Sequence, residues 1–516
     1  MAARRTRVSA AAGTAVTNGD GSRAWRATRR FAWSAEERFH LSTVARRESS
    51  HVFPKHHSFL WGEIALYSFA VLVLSGIVLA LFFVPDTTEV VYSGPYEPAR
   101  GLHMSRAYES VLNLSFEVRG GLFIRQMHHW AALLFVASIV LHMLRNFFTG
   151  AFRKPRELTW LTGVVLLMLA VIEGYTGYSQ IDDLLSGMGV RIISGLLLSV
   201  PVIGTWLHWM VFGGEFEGEI WIERFFFAHV FLIPGLLIAL IALHLGLVWY
   251  LKHTQFPGPG AREDNSVGER TLPGFGSKTL ANGLGVIGVI GILAGGFQIN
   301  PIWLWGPYSP SYASTAAQPD WYAAFFIGAL RLFPPADIRL GEYTVVASFW
   351  AGLVLPLLMF VILAVYPFLE RWFTKDRGLH NLLQRPRDNP VRTGLGVMAV
   401  TFWAILTIAG GDDVWAIAFN VPVNWLRWAE RVAVLVLPGI AYVVAYRICL
   451  GLQRKDRDVL ERGVRTGILQ ERPDGVYVEL RQPPGGVDHE GRPVPMAYGG
   501  ARIDENVATR ERDGEA

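Results

Sequence analysis

The sequence predicts an all-α polytopic membrane protein with eight transmembrane helices, on three observations. The chain of 516 residues is 51% hydrophobic and 17% charged, with a mean hydropathy of +0.30, too apolar and charge-poor for an ordinary soluble enzyme. Its 53 Gly, 18 Trp and 31 Phe suit close helix contacts and interfacial aromatic rings. Eight apolar runs approach or exceed the roughly 20 residues that a helix needs to cross a bilayer.

The runs start near Leu60, Gly121, Leu158, Phe225, Leu280, Tyr343, Thr393 and Arg431, and the seventh, residues 394–409, is the shortest. An even number of spans returns both ends to one side. Lys and Arg concentrate on the cytoplasmic side of membrane proteins. The second connection carries Arg153, Lys154 and Arg156, and the sixth carries Arg371, Lys375, Arg377, Arg385, Arg387 and Arg392. These faces and both Arg-rich termini are therefore expected in the cytoplasm, in a multi-pass protein of the cell membrane. The odd-numbered connections, rich in Pro, Trp and Gly, are expected outside; the third, around residues 189–212, suits short helices on the membrane surface.

The chain divides into a cytoplasmic N-terminal extension (1–54), a four-helix core (55–255), C-terminal transmembrane helices with a long external loop (256–451) and a charged cytoplasmic tail (452–516). The extension contains no apolar core of signal-peptide length. The tail, interrupted by Pro483, Pro484, Gly485 and Gly486, lacks helical apolar periodicity and reads as a soluble, flexible segment. The basic pI of about 9.1 reads as membrane topology rather than nucleic-acid binding. With a single cysteine, Cys449, one chain cannot build a disulfide, a Cys-ligated cluster or a C-x-x-C-H haem attachment.

Ionisable groups inside a bilayer are costly and need a reason. His128 and His142 in the second span are 14 residues apart, about 21 Å along a helix rising about 1.5 Å per residue. His229 and His244 in the fourth are 15 apart, about 22 Å. Both helices run from outside to inside, so His128 pairs with His229 at the outer level and His142 with His244 at the inner level. Two such pairs can serve as the axial ligands of two stacked b-type haems within the four-helix core. Taken singly, each histidine reads equally well as a hydrogen-bonded core residue; four at matched depths do not. His129 points about 100° away from His128 and receives no ligand role. The extra residue between His229 and His244 is expected to be absorbed by a kink at Pro234.

Gly62 and Gly76 in the first span, and Gly163 and Gly177 in the third, repeat the 14-residue spacing, as a porphyrin wedged between helices would require. Close helix packing is the commoner use of such glycines. Arg125 and Arg145 sit one turn before His128 and just after His142, where they could pair with haem propionates; Arg145 reads equally well as a simple cytoplasmic anchor.

The stretch 121–145, GLFIRQMHHWAALLFVASIVLHMLR, resembles the second helix of cytochrome b in respiratory cytochrome bc complexes, and the glycine pairs match it. Pro319-Asp320-Trp321-Tyr322 resembles the family's Pro-Glu-Trp-Tyr motif at the outer quinol site, and Gly177-Tyr178 matches the helix end that borders it. The resemblance covers about residues 55–450. Asp320 stands where the family has Glu, one methylene longer, and residues 179–183 replace the usual Pro-Trp-Gly-Gln run. The 15-residue spacing is that of the photosynthetic branch, without the cysteine that holds that branch's extra haem. Without the resemblance, this segment reads as a turn followed by an interfacial Trp-Tyr anchor.

The resemblance implies a quinol oxidation that bifurcates. One electron leaves through a Rieske iron–sulfur partner and a c-type cytochrome subunit, and the other crosses through two haems b to reduce a quinone at the inner face, with net proton translocation. Asp320 is implied as proton acceptor, with Tyr322 orienting it or binding the quinol, and Pro319, Trp321 and Tyr178 as neighbours. At the inner quinone site Lys252, His253 and Asp264 are candidates. The charged tail and the PDWY variant resemble the actinobacterial form, which implies menaquinol, a homodimeric complex and a supercomplex with cytochrome c oxidase. Two rivals are a di-haem anchor of a dehydrogenase, which needs fewer spans, and a transporter with a histidine relay, which predicts no bound chromophore.

Overall fold

The computed structural model describes residues 51–311 and 319–482, with parts of 33–50. Among the described residues eight helices are long and apolar enough to cross a membrane: His57–Ala80, Gly121–Phe148, Glu157–Ser179, Trp221–Leu251, Gly276–Gly296, Ala347–Thr374, Pro390–Ala409 and Val423–Val459. The terms outer and inner are kept for the ends that the basic residues predict. Apolar side chains on the spans point outward, Leu74 being 67% and Leu435 83% exposed. A surface of that kind is stable against lipid rather than water.

The first span packs along the second and the third along the fourth, making the four-helix core; the fifth lies against the first two. The seventh and eighth spans pack together beside Ala324–Leu332, a short helix following the PDWY segment. Gly328 makes that contact possible, since a Cβ there would lie 1.8 Å from the Leu406 carbonyl oxygen. The second span starts where Gly120, at φ +79°, reverses the chain after the helix Arg106–Phe116, a conformation that favours glycine. After the third span Asp183 caps the helix Leu184–Leu198, accepting a bond from the Leu185 amide at 3.1 Å. This helix and Gly204–Phe212 form the third connection.

Two differences from the sequence expectation have local causes. The fourth span contains a wide, π-type turn at Ala228–Leu232, where the Ile233 amide bonds back five residues to the Ala228 carbonyl. One wide turn takes up one extra residue, so His244 keeps its angular register with a 15-residue spacing. Pro234, with no N–H to donate, follows directly; the turn rather than a simple kink absorbs the insertion. The eighth helix continues to Arg462, past the expected start of the tail, and a hairpin pairs Val464–Glu471 with Tyr477–Gln482. Arg481 reaches back to Asp458 at 3.1 Å, so this part of the tail is folded against the helix. Residues 483–516, including the Pro-Pro-Gly-Gly run, and the N-terminal residues 1–32 lie outside the described residues.

The inner connections are tied by arginine. Arg156 donates to the carbonyls of His380, Leu251 and Lys252 and to Asn381 Oδ1, at 2.6 to 3.0 Å. It thereby satisfies the last carbonyls of the fourth span and joins that helix end to the sixth connection.

Candidate functional site

The His128 and His229 rings face each other with centroids 6.1 Å apart, and His142 and His244 with centroids 6.5 Å apart. Two imidazoles binding one metal from opposite sides stand about 6 Å apart, from two metal–nitrogen bonds of about 2 Å and half of each ring. At the outer level His128 Nδ1 lies 3.0 Å from Ser75 Oγ, and His229 Nδ1 lies 3.0 Å from the Glu173 carbonyl oxygen and 3.2 Å from its carboxylate. Anchoring Nδ1 fixes ring orientation and leaves Nε2 for a metal. At the inner level His244 Nδ1 is held by Thr162 Oγ1 at 3.0 Å. His142 Nδ1 has no partner among the described residues, and Asn146 Nδ2 donates to His142 Nε2 at 3.0 Å. Ligation through that nitrogen requires the Asn146 amide to turn away.

Each of the four glycines lies against one of the four histidines. A Cβ on Gly62 would stand 3.1 Å from His142 Cε1, on Gly76 3.2 Å from His128, on Gly163 3.7 Å from His244 and on Gly177 2.3 Å from His229. The spacing shared by glycines and histidines therefore has a direct contact behind it: the missing side chain makes room for an imidazole edge.

Two buried guanidinium groups retain unused donors. Arg125 Nη2 donates to the Asn300 carbonyl at 3.1 Å, while its Nε has no partner among the described residues. Arg145 binds Ser58 Oγ and Asn146 Oδ1 and lies 4.3 Å from the Phe59 ring centroid, with Nη2 likewise unpartnered. Buried cationic donors are costly when left unmade, and an anionic group such as a propionate at each level would satisfy them. Facing imidazoles, glycine clearances and orphan arginine donors together fit a bis-histidine haem at each level, subject to the Asn146 movement at the inner one.

A cavity of 490 Å³ runs from His128 and His229, past Arg125 and Tyr178, to Asp320 and Tyr322. Its walls are mainly apolar, with Phe69, Leu72 and Ile238 among them. At its far end His129 Nε2 lies 2.9 and 3.1 Å from the two Asp320 oxygens, and Tyr322 OH donates to Asp320 Oδ2 at 3.1 Å. Burial first, then the neighbouring carboxylate, pushes the Tyr322 phenol well above its usual range, so it stays a proton donor. Gly174 admits Tyr322: a Cβ there would fall 2.1 Å from the phenol oxygen. Trp321 turns away to an edge contact with Trp403 at 6.2 Å, and Pro319 precedes the carboxylate.

His129, Gly174 and Glu173 are the residues that sequence reading missed. The 100° that removes His129 from the ligand axis aims it at Asp320, and a second intramembrane histidine was the available signal. Glu173 was signalled by being an acid within an apolar span.

Of the inner candidates, His253 packs edge-on against Phe53 and Phe59 at 5.3 and 5.5 Å. Burial, with Arg145 and Arg156 nearby, holds it at about 4, so it is neutral at pH 7. Lys252 caps the fourth span with φ +61°, and Asp264 is exposed on the following loop.

Eight apolar spans carrying two facing histidine pairs, with a carboxylate-ended cavity at one of them, define a multi-pass membrane protein of the electron-carrying kind. Residues 133–307 match the family model described as "Cytochrome b(N-terminal)/b6/petB". The chain is 53% identical over 462 residues to the cytochrome bc1 complex cytochrome b subunit of Corynebacterium efficiens, covering 90% of this chain and 85% of that one. It is 52% identical over 469 residues to the same subunit of Mycobacterium tuberculosis, covering 91% and 85%. The fold is similar to a chain of a hyperthermophilic respiratory Complex III, with a TM-score of 0.60 at 22% identity over 80% of this chain and 98% of that one. The chain belongs to the cytochrome b subunits of cytochrome bc1 complexes.

Proposed function

We propose that this chain is the quinol-oxidising subunit of a quinol:cytochrome c oxidoreductase, holding two haems b through His128 with His229 and His142 with His244. The observation that carries the reading is the continuous cavity joining the outer histidine pair to the Asp320 cluster. When bound, the haems supply one-electron transfer between the outer and inner levels. Everything else is done by side chains.

The apolar walls of the cavity suit a quinol ring and exclude bulk water. Asp320 is the acceptor for a quinol hydroxyl proton. Of its two oxygens, Oδ2 is engaged by Tyr322 and both lie near His129 Nε2, so His129 is placed to hold the carboxylate and to take the proton on. Tyr178 and Arg125 add polar groups to the cavity wall. On the inner side, His253, Lys252 and Asp264 are the candidates for a second quinone site.

The substrate is a menaquinol, and the complex adds a Rieske iron–sulfur subunit and a c-type cytochrome subunit. It works as a homodimer, joins a cytochrome c oxidase and releases protons outside while taking them up from the cytoplasm. The family and the absence of any cysteine-based electron carrier in the sequence support those partners. A reduced-minus-oxidised spectrum of the complex, with pyridine haemochrome analysis per copy of this subunit, tests the reading. Two b haems per chain are expected; none would overturn it.

A further inference from the structure

The third span carries the same local pattern twice, 14 residues apart. Thr159, Thr162 and Gly163 face His244, and Glu173, Thr176 and Gly177 face His229. In both, the threonine hydroxyl donates to the carbonyl three residues earlier, at 2.9 Å. That hydroxyl also lies beside the histidine Nδ1, at 3.0 Å for His244 and 3.4 Å for His229. The backbone carbonyl at the first position of the pattern supports the same ring, by the Glu173 carbonyl at 3.0 Å and by a backbone bond from Thr159. The glycine gives the ring its clearance. Within this Thr/Glu-x-x-Thr-Gly pattern the first residue is the polar difference: Thr159 at the inner level, Glu173 at the outer.

That difference is a charge. Glu173 Oε1 lies 3.2 Å from His229 Nδ1, its other oxygen is buried without a partner among the described residues, and the pair is mostly buried, with side-chain exposures of 18% and 15%. Thr159 Oγ1 is also buried and unpartnered but carries no charge. A carboxylate within an apolar span is retained at a cost, and here it is aimed at the nitrogen opposite the one left for a metal. Drawing the Nδ1 proton toward a carboxylate makes the imidazole a stronger donor through Nε2. A carboxylate that shares the Nδ1 proton in a low-dielectric site also favours whichever state of the bound group is more positive.

We infer that Glu173 is a positioning residue that lowers the reduction potential at the outer histidine pair. This rests on the proposal that each pair holds a haem. The direction follows from charge: an oxidised iron centre carries one more positive charge than the reduced one. A negative neighbour makes gain of the electron less favourable at His229 and leaves His244, behind a neutral threonine, unaffected.

The test is an equilibrium redox titration of the whole purified complex with dithionite and ferricyanide, following the haem absorbance. The outer haem is assigned as the one missing from the H229A protein. In E173Q, which keeps size and hydrogen bonding but removes the charge, the outer reduction equilibrium should move about tenfold toward the reduced form, about 59 mV for a one-electron couple, while the inner midpoint stays. In T159E the inner midpoint should fall by a similar factor and the outer stay. Unchanged midpoints, or equal shifts of both haems in either variant, would overturn the inference. If E173Q assembles without its outer haem, T159E decides alone. A wild-type complex with fewer than two haems per chain would instead overturn the di-haem proposal beneath it.

Discussion

The outer and inner histidine levels are built from matching parts set 14 residues apart on three helices, yet they are not equivalent. The outer rings are gripped on both sides, His128 by Ser75 and His229 by Glu173. The inner level grips His244 through Thr162 and leaves His142 Nδ1 unpartnered among the described residues. On the third span the outer glycine contact is also the tighter, 2.3 Å at Gly177 against 3.7 Å at Gly163, and the outer level opens into the cavity that ends at Asp320. A duplicated scaffold thus supplies two similar sites. One repeat position distinguishes them, Glu173 at the outer level standing where the inner has Thr159.

Removing a ligand should break the comparison most completely. H229A or H128A should leave one b haem per chain and abolish quinol oxidation, whereas H244A should remove the inner haem and keep the outer one; haem quantitation separates the cases. Both haems surviving in H229A would end the pairing.

Next in size is the carboxylate at the cavity end. D320N should keep both haems and slow turnover about 100-fold, in the range for loss of a positioned proton acceptor. H129A should likewise keep both haems and slow turnover by less, because Tyr322 still holds Asp320. Near-normal steady-state rates in D320N would remove Asp320 from the mechanism, and haem loss in H129A would show that this ring does more than hold the carboxylate.

Glycine variants sharpen the asymmetry. A methyl group at Gly177 must displace His229, costing about 1–3 kcal/mol as overpacking does, whereas at Gly163 it would make ordinary contact with His244. G177A should lose or perturb the outer haem spectrum and G163A should leave the inner one intact. Equal tolerance of the two would contradict the difference in clearance between these glycines.

The smallest effect concerns the outer loop. Burial raises Asp182 from 3.8 to about 7, against an opposing hydrogen bond from Ser105. A carboxyl whose folded value is raised gives stability that is full below about 4 and is lost as pH rises to about 7. Melting temperatures of the complex should therefore fall less between pH 5 and pH 8 in D182N than in wild type; parallel curves would show that Asp182 does not titrate in that window.

Much of this was written in the linear sequence. The eight spans follow from hydropathy alone, because the bilayer imposes a length on any helix that crosses it. The histidine and glycine spacings follow because a helix converts residue number into height and angle. The PDWY segment was legible only through its likeness to a family motif.

What the sequence could not decide was whatever depends on two distant segments meeting. His129 meets Asp320 across 191 residues, and nothing local to either announces the other. The wide turn at Ala228–Leu232 was hidden because hydropathy does not register a change of hydrogen-bond partner by one residue. The folded hairpin after Arg462 was hidden because a search for helical apolar periodicity does not register the two-residue alternation of Val478 and Leu480. Sequence determined how many spans there are, and where along each the special residues lie. Tertiary structure alone decided which of those residues touch, because helix rotation and pairing are fixed by packing against neighbours rather than by the helix itself.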